Sequence, residues 1–121
     1  MNLKTIFASM ILVCLATAIT NANLAQDASA PRRIEVTAKK FSYEPAEITV
    51  KRGEPIVLVI KSMDVAHGIR FRELNVDINA RAGKTGEAQF TPQQTGDFVG
   101  HCSVFCGAGH GSMTLKLHVV E

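Results

Sequence analysis

The chain has 121 residues, of which 46% are hydrophobic and 20% charged, so it has the composition of one ordinary folded domain and wholesale disorder is excluded. Thirteen Lys and Arg against eleven Asp and Glu leave a formal charge of +2, and no basic run is interleaved with aromatics, which excludes a nucleic-acid footprint. Met1-Asn2-Leu3-Lys4 gives a short basic start, and Ile6–Ile19 is an apolar stretch of 14 residues. A transmembrane helix needs about 20 such residues, so the stretch reads as the apolar segment of a secretory leader over residues 1–22, with an uncleaved N-terminal anchor as the alternative. Ala16-Thr17-Ala18 and Thr20-Asn21-Ala22 both fit a cleavage site. Cys14 follows Val13, a poor context for lipidation. Residues 23–33 are polar with Pro31 and read as a linker, and residues 34–121 as the domain. The expected location is the periplasm or an equivalent exported space, with no transmembrane span once the leader is removed.

From Ile34 the pattern is β throughout. Ile34, Val36 and Ala38 alternate with polar residues, as do Ile48 and Val50, and Pro55 opens the continuous apolar run Ile56–Ile60. His67–Phe71, Leu74–Ile78, Glu87–Phe90 and Gly96–Cys102 are further short strands, and Met113–Val120 alternates at period two. Turns are expected at Glu44-Pro45, Arg52–Pro55, Ala82–Lys84 and Thr95-Gly96. Seven to eight short strands at this spacing predict an all-β, two-sheet antiparallel Greek-key sandwich.

Removal of Cys14 with the leader would leave Cys102 and Cys106, a pair that could close a disulfide in an oxidising compartment or hold a metal. Their neighbours bear on the choice: Cys102–Met113 reads Cys-x3-Cys-x3-His-x2-Met, ending in His110 and Met113. Thiolate, imidazole and thioether form a soft donor set that suits copper, with Met as a weak ligand, whereas zinc has little use for Met. Cys106, His110 and Met113 alone would also fit a one-cysteine blue-copper loop. Gly107, Gly109 and Gly111 would let the loop fold tightly. A loop this short needs a distant ligand, and His67, 35 residues before Cys102, is the candidate. Asp64 could hydrogen-bond its ring or be a solvated turn residue. Met113 could also begin the core face continued by Leu115, Leu117 and Val119, and Met63 reads as packing. His118 lies on the opposite face from that row, and His101, next to Cys102, should face outward. Ser103 and Ser112 belong to no nucleophile motif, so hydrolytic chemistry has no support.

The segment Gly100-His101-Cys102 through Met113, with His67 in an Asp-x-x-His context, resembles the binuclear copper-A site of cytochrome c oxidase subunit II and that of nitrous oxide reductase. The resemblance spans Ile34–Glu121 and implies a cupredoxin sandwich. It implies that Cys102 and Cys106 bridge two copper ions, that His67 and His110 bind one each, and that Met113 and the Val104 carbonyl complete them. It also implies a one-electron carrier, not an enzyme, with His110 as the ligand nearest the surface. Its partner would be a redox protein such as a cytochrome or a terminal oxidase. Three departures shape the expectation. There is no room for the transmembrane hairpin of subunit II, no Trp to offer to cytochrome c, and Val104 stands where subunit II commonly has a Glu that could hold magnesium. The expectation is a free-standing, monomeric, exported copper-A protein, with a copper-trafficking protein that donates its metal to an oxidase as the alternative.

Overall fold

The computed structural model describes residues 30–121. The leader, Cys14 and most of the linker lie outside the described residues. Nine strands follow one another: β1 Arg32–Lys39, β2 Ser42–Glu44, β3 Glu47–Lys51, β4 Ile56–Ser62, β5 His67–Phe71, β6 Val76–Ala80, β7 Thr85–Phe90, β8 Gly96–His101 and β9 Thr114–Val120. They form a four-stranded sheet of order β2-β1-β4-β7 and a five-stranded sheet of order β3-β9-β8-β5-β6. All-β architecture in two sheets is as expected, with one strand more than the alternation suggested. That strand, β2, is three residues long and lies just ahead of Pro45, too short for period-two alternation to register.

The sandwich is not wholly antiparallel. β1 runs parallel to β4, with Val36 opposite Ile60, and β3 runs parallel to β9, with Ile48 opposite Leu117. Parallel neighbours need a crossover. Here the chain supplies it by leaving the first sheet after β2, adding β3 to the second, and returning at β4. The segment expected as one strand over Leu74–Ile78 divides. Arg72–Leu74 forms a single 3₁₀ turn closed by Asn75 at φ 53°, and only then does β6 begin. β1 begins at Arg32, two residues ahead of the expected domain start.

Alternation fills the space between the sheets. Val36, Ala38, Ile56, Leu58 and Ile60 from the first sheet meet Ile69, Phe71, Ile78, Leu115, Leu117 and Val119 from the second, all buried. Burying such side chains contributes about 1.5–3 kcal/mol each. Outward positions of β9 are polar or partly exposed: Lys116 is exposed, and His118 hydrogen-bonds Asp97 at 2.6 Å, as its parity predicted. The Asp97 hydrogen bond, set against some desolvation and helped by Glu47, raises the affinity of His118 for its proton. Among the described residues, no helix is long and apolar enough to cross a membrane.

This topology gathers the interesting loops at one end. β5 starts there at His67, β8 ends there at His101, and β9 starts there at Thr114. The pairs Gly100 with Leu115 and His101 with Thr114 continue into a bond from the Cys102 N–H to the Met113 carbonyl, 3.1 Å. Cys102 and Met113 thus stand opposite each other at the base of the loop between β8 and β9.

Candidate metal centre

Parity decides which side chains of β8 and its extension turn inward: His101 is exposed, while Cys102 is buried. Cys106, further along the loop, is buried beside it, with the two sulfurs 3.7 Å apart. Both are free thiols. A disulfide requires about 2.0 Å between sulfurs. Two sulfurs each about 2.3 Å from a common ion at a tetrahedral angle stand roughly 3.7 Å apart. The spacing fits a pair that shares metal.

Cys106 is the hub of the loop. Its Sγ lies 3.7 Å from Cys102 Sγ, 3.7 Å from His110 Nδ1 and 3.8 Å from Met113 Sδ. Burial first, then the neighbouring Cys102 sulfur, pushes its thiol up to about 11. The proton therefore stays on this sulfur at neutral pH until something competes for it. The Val104 carbonyl is 3.1 Å from Cys102 Sγ, whereas Met113 meets the other sulfur, that of Cys106. Met113 is fully buried and is both core and site: its sulfur meets Cys106 while the row Leu115, Leu117, Val119 continues inward from it.

His67 comes from the other side of the loop, at the first position of β5. It is fully buried, and one of its ring nitrogens and the two cysteine sulfurs lie within 4.8 Å of one another. Asp64 accounts for the ring's orientation. Its Oδ1 accepts from His67 Nε2 at 2.6 Å and from the Val65 N–H at 2.7 Å, and its Oδ2 accepts from the Lys40 N–H at 2.8 Å. Desolvation alone would raise the Asp64 carboxyl; the hydrogen bonds from Lys40, His67 and Val65 outweigh it and hold the group below its ordinary range. With Nε2–H donating to Asp64, the lone pair sits on Nδ1, which is buried and has no hydrogen-bond partner. A buried polar atom left unpaired costs about 1–3 kcal/mol. An electrophile at that position would remove the cost, so the site fits a soft metal on the chemistry of its donors and on this orphaned nitrogen.

The six residues singled out from sequence thus meet at one end of the sandwich: His67, Cys102 and Cys106 as a tight buried cluster, with the Val104 carbonyl, His110 and Met113 around the thiols. His110 sits in the 3₁₀ turn His110–Ser112 and is half-buried, more open than His67. The exposed ring of Phe105 leans over it, centroids 5.5 Å apart and planes at 49°. Gly107 and Gly109 admit the Phe41 ring against the loop; a Cβ on Gly109 would lie 2.4 Å from Phe41 Cγ. A Cβ on Gly111, grouped with them as a residue that lets the loop fold tightly, would meet nothing within 4 Å.

Two contributors escaped the sequence reading. Phe41 is one. The other is Tyr43, buried beside Cys102 with its hydroxyl donating to the Gly68 carbonyl. Burial, then the Cys102 sulfur, raises its hydroxyl well above the ordinary tyrosine range. Its being the one tyrosine of the chain was the available signal.

Residues 7–115 match the family model described as a cupredoxin-like domain. The chain is 32% identical over 88 residues to cytochrome c oxidase subunit 2 of Thermus thermophilus, a match covering 73% of this chain and 65% of that protein. It therefore spans somewhat less than two thirds of that relative. Its fold resembles the periplasmic domain of subunit II of cytochrome oxidase of Bradyrhizobium japonicum, with TM-score 0.69, 24% identity, and coverage of 76% of this chain and 86% of that one. A chain of a heme-copper terminal oxidase dimer superposes with TM-score 0.65 at 26% identity, covering 74% of this chain and 65% of that one.

Proposed function

The chain belongs to the cupredoxin-like domain family, and from that membership we propose that it is an exported one-electron carrier holding two copper ions, like the copper-A domain of oxidase subunit II. The observation that carries the proposal is the pair of buried free thiols 3.7 Å apart, faced by a buried imidazole whose inner nitrogen has no partner. In this reading Cys102 and Cys106 hold both ions, His67 and His110 one each, and Met113 and the Val104 carbonyl are weak donors. Bound there, copper supplies a one-electron couple shared over two metals. The protein's part is to keep the donors fixed: Asp64 orients His67, the ladder from Gly100 to Met113 fixes the base of the loop, and Phe41 packs against its glycines. Fixed, water-poor donors change little when charge changes, which keeps reorganisation small. The leader-like stretch Ile6–Ile19 supports export, and the redox partner would be a cytochrome or an oxidase.

The rival reading, a copper donor, asks for donors that release their metal. Burial of His67, Cys102, Cys106 and Met113 favours retention.

Two variants test individual roles. Met113→Leu nearly preserves volume, so the protein is expected to keep both coppers with a shifted reduction potential. Loss of all copper in metal analysis would show Met113 to be a strong ligand. Asp64→Asn is expected to weaken copper binding about tenfold in competition with a chelator, the usual cost of removing a carboxylate that orients a ligating histidine. Unchanged competition would make Asp64 a turn residue and nothing more.

A further inference from the structure

The end of the sandwich that carries the thiols has a charge pattern the site itself does not use. Ser62 closes β4 at this end, its N–H bonding the Lys84 carbonyl at 2.9 Å; Ala80 closes β6 opposite His67, and Arg81 follows it. The Lys40 N–H bonds Asp64, which bonds His67. Lys40, Lys61, Arg81 and Lys84 therefore surround the site loops. All four are exposed, and none forms an ion pair among the described residues. Of the carboxylates nearby, Asp64 is engaged by His67 and two backbone N–H groups, Glu44 by Lys39 at 3.6 Å and Asp77 by Arg70, while Glu73 shares the cleft beside Cys102 with Arg70 and Arg72. The opposite end mixes signs, with Arg32 on Glu54 and Arg52 on Glu121.

Within the cationic rim lie two large exposed apolar side chains, Phe105 at 78% and Met63 at 59%. Phe105 covers His110, the more open of the two histidines, and the Met63 N–H bonds the Ala38 carbonyl next to Lys39 and Lys40. An apolar centre inside a charged rim is the anatomy of a protein interface, and the rim's sign selects the partner.

We propose that this end is the docking face for a redox protein whose own electron-exchange surface is acidic. The proposal rests on the electron-carrier reading above. Four unpaired cations around one site steer an anionic partner towards it, and the apolar centre lets the two surfaces exclude water at the point of exchange. The far end has no part in this: from Arg33 to Lys39 along β1 is about 20 Å, more than two screening lengths at physiological salt.

The test uses the full copper-loaded chain, reduced, in stopped flow with ferricyanide as an anionic oxidant and tris(phenanthroline)cobalt(III) as a cationic one. One electron leaves the protein and reduces Fe(III) to Fe(II), or Co(III) to Co(II), and no bond to the protein changes. Between about 10 and about 200 mM salt the ferricyanide rate is expected to fall about tenfold, and the cobalt rate to rise. Poly-L-glutamate should slow the ferricyanide reaction. The triple variant Lys40→Glu, Lys61→Glu, Lys84→Glu should invert the ferricyanide salt dependence and abolish inhibition by the polymer. The triple variant Arg33→Glu, Lys51→Glu, Arg52→Glu, with the same net charge, should keep both. A ferricyanide rate that is flat or rises with salt, or equal effects of the two triple variants, would overturn the docking face and leave the carrier standing. Failure of both oxidants to take an electron would overturn the carrier, and the docking face with it.

Discussion

Cys106→Ser protein is expected to bind at most one copper per chain and to lose every signature of an electron shared between two metals. Its sulfur is the atom that Cys102, His110 and Met113 all approach, at 3.7, 3.7 and 3.8 Å. A serine oxygen is harder and smaller, and it does not replace a thiolate for copper. The substitution is close in shape at a residue of 6% exposure, so the apo fold should survive and the loss can be read as loss of the centre. Cys102→Ser removes the other sulfur and should likewise leave a mononuclear centre. Metal analysis with optical spectra checks both; two coppers and an unchanged spectrum in either variant would refute bridging by the thiol pair.

Gly86→Ala should destabilise the protein by about 3 kcal/mol, the upper range for overpacking. A Cβ at this first-sheet position would lie 2.0 Å from the Asn79 carbonyl oxygen and 2.8 Å from the Asn79 carbonyl carbon. Those are backbone atoms of β6, an edge strand of the other sheet, so relief requires the two sheets to separate at their shared border. For a domain of this size such a loss corresponds to roughly 12–24 °C in Tm. Gly111→Ala is the control, because its Cβ would meet nothing within 4 Å. Thermal melting of the two apo proteins decides the matter: equal melting within a few degrees would mean that β6 and β7 can part freely.

The parts of this architecture that depend on local patterning could be read from the chain. Alternation in β1 and β9 and the apolar run of β4 mark core strands, since period two is set by the pleat of a single strand. Spacing in Cys102–Met113 announces a donor loop because all its members lie within one short loop of chain. His67 was found by need, as the ligand the loop lacks, and the fold does bring it to the thiols. What escaped is non-local. Parallel pairing of β1 with β4 depends on where the chain crosses between sheets. The seat of Phe41 depends on the β1–β2 turn meeting a loop more than 60 residues later, and that of Tyr43 on β2 reaching Gly68 of β5, 25 residues on. Gly111 shows the converse error: three glycines in a loop invite one explanation, and the Phe41 ring needs two of them.

Copper stoichiometry and the EPR spectrum of the reconstituted protein test the central claim most directly. Two coppers per chain, a purple colour, and hyperfine structure from one electron shared over two copper nuclei are expected. One copper with a four-line signal would contradict it and make the site a mononuclear cupredoxin with a spare thiol. A spectroscopically silent Cu(I) protein that surrenders its metal to chelators would contradict it too, in favour of a copper donor.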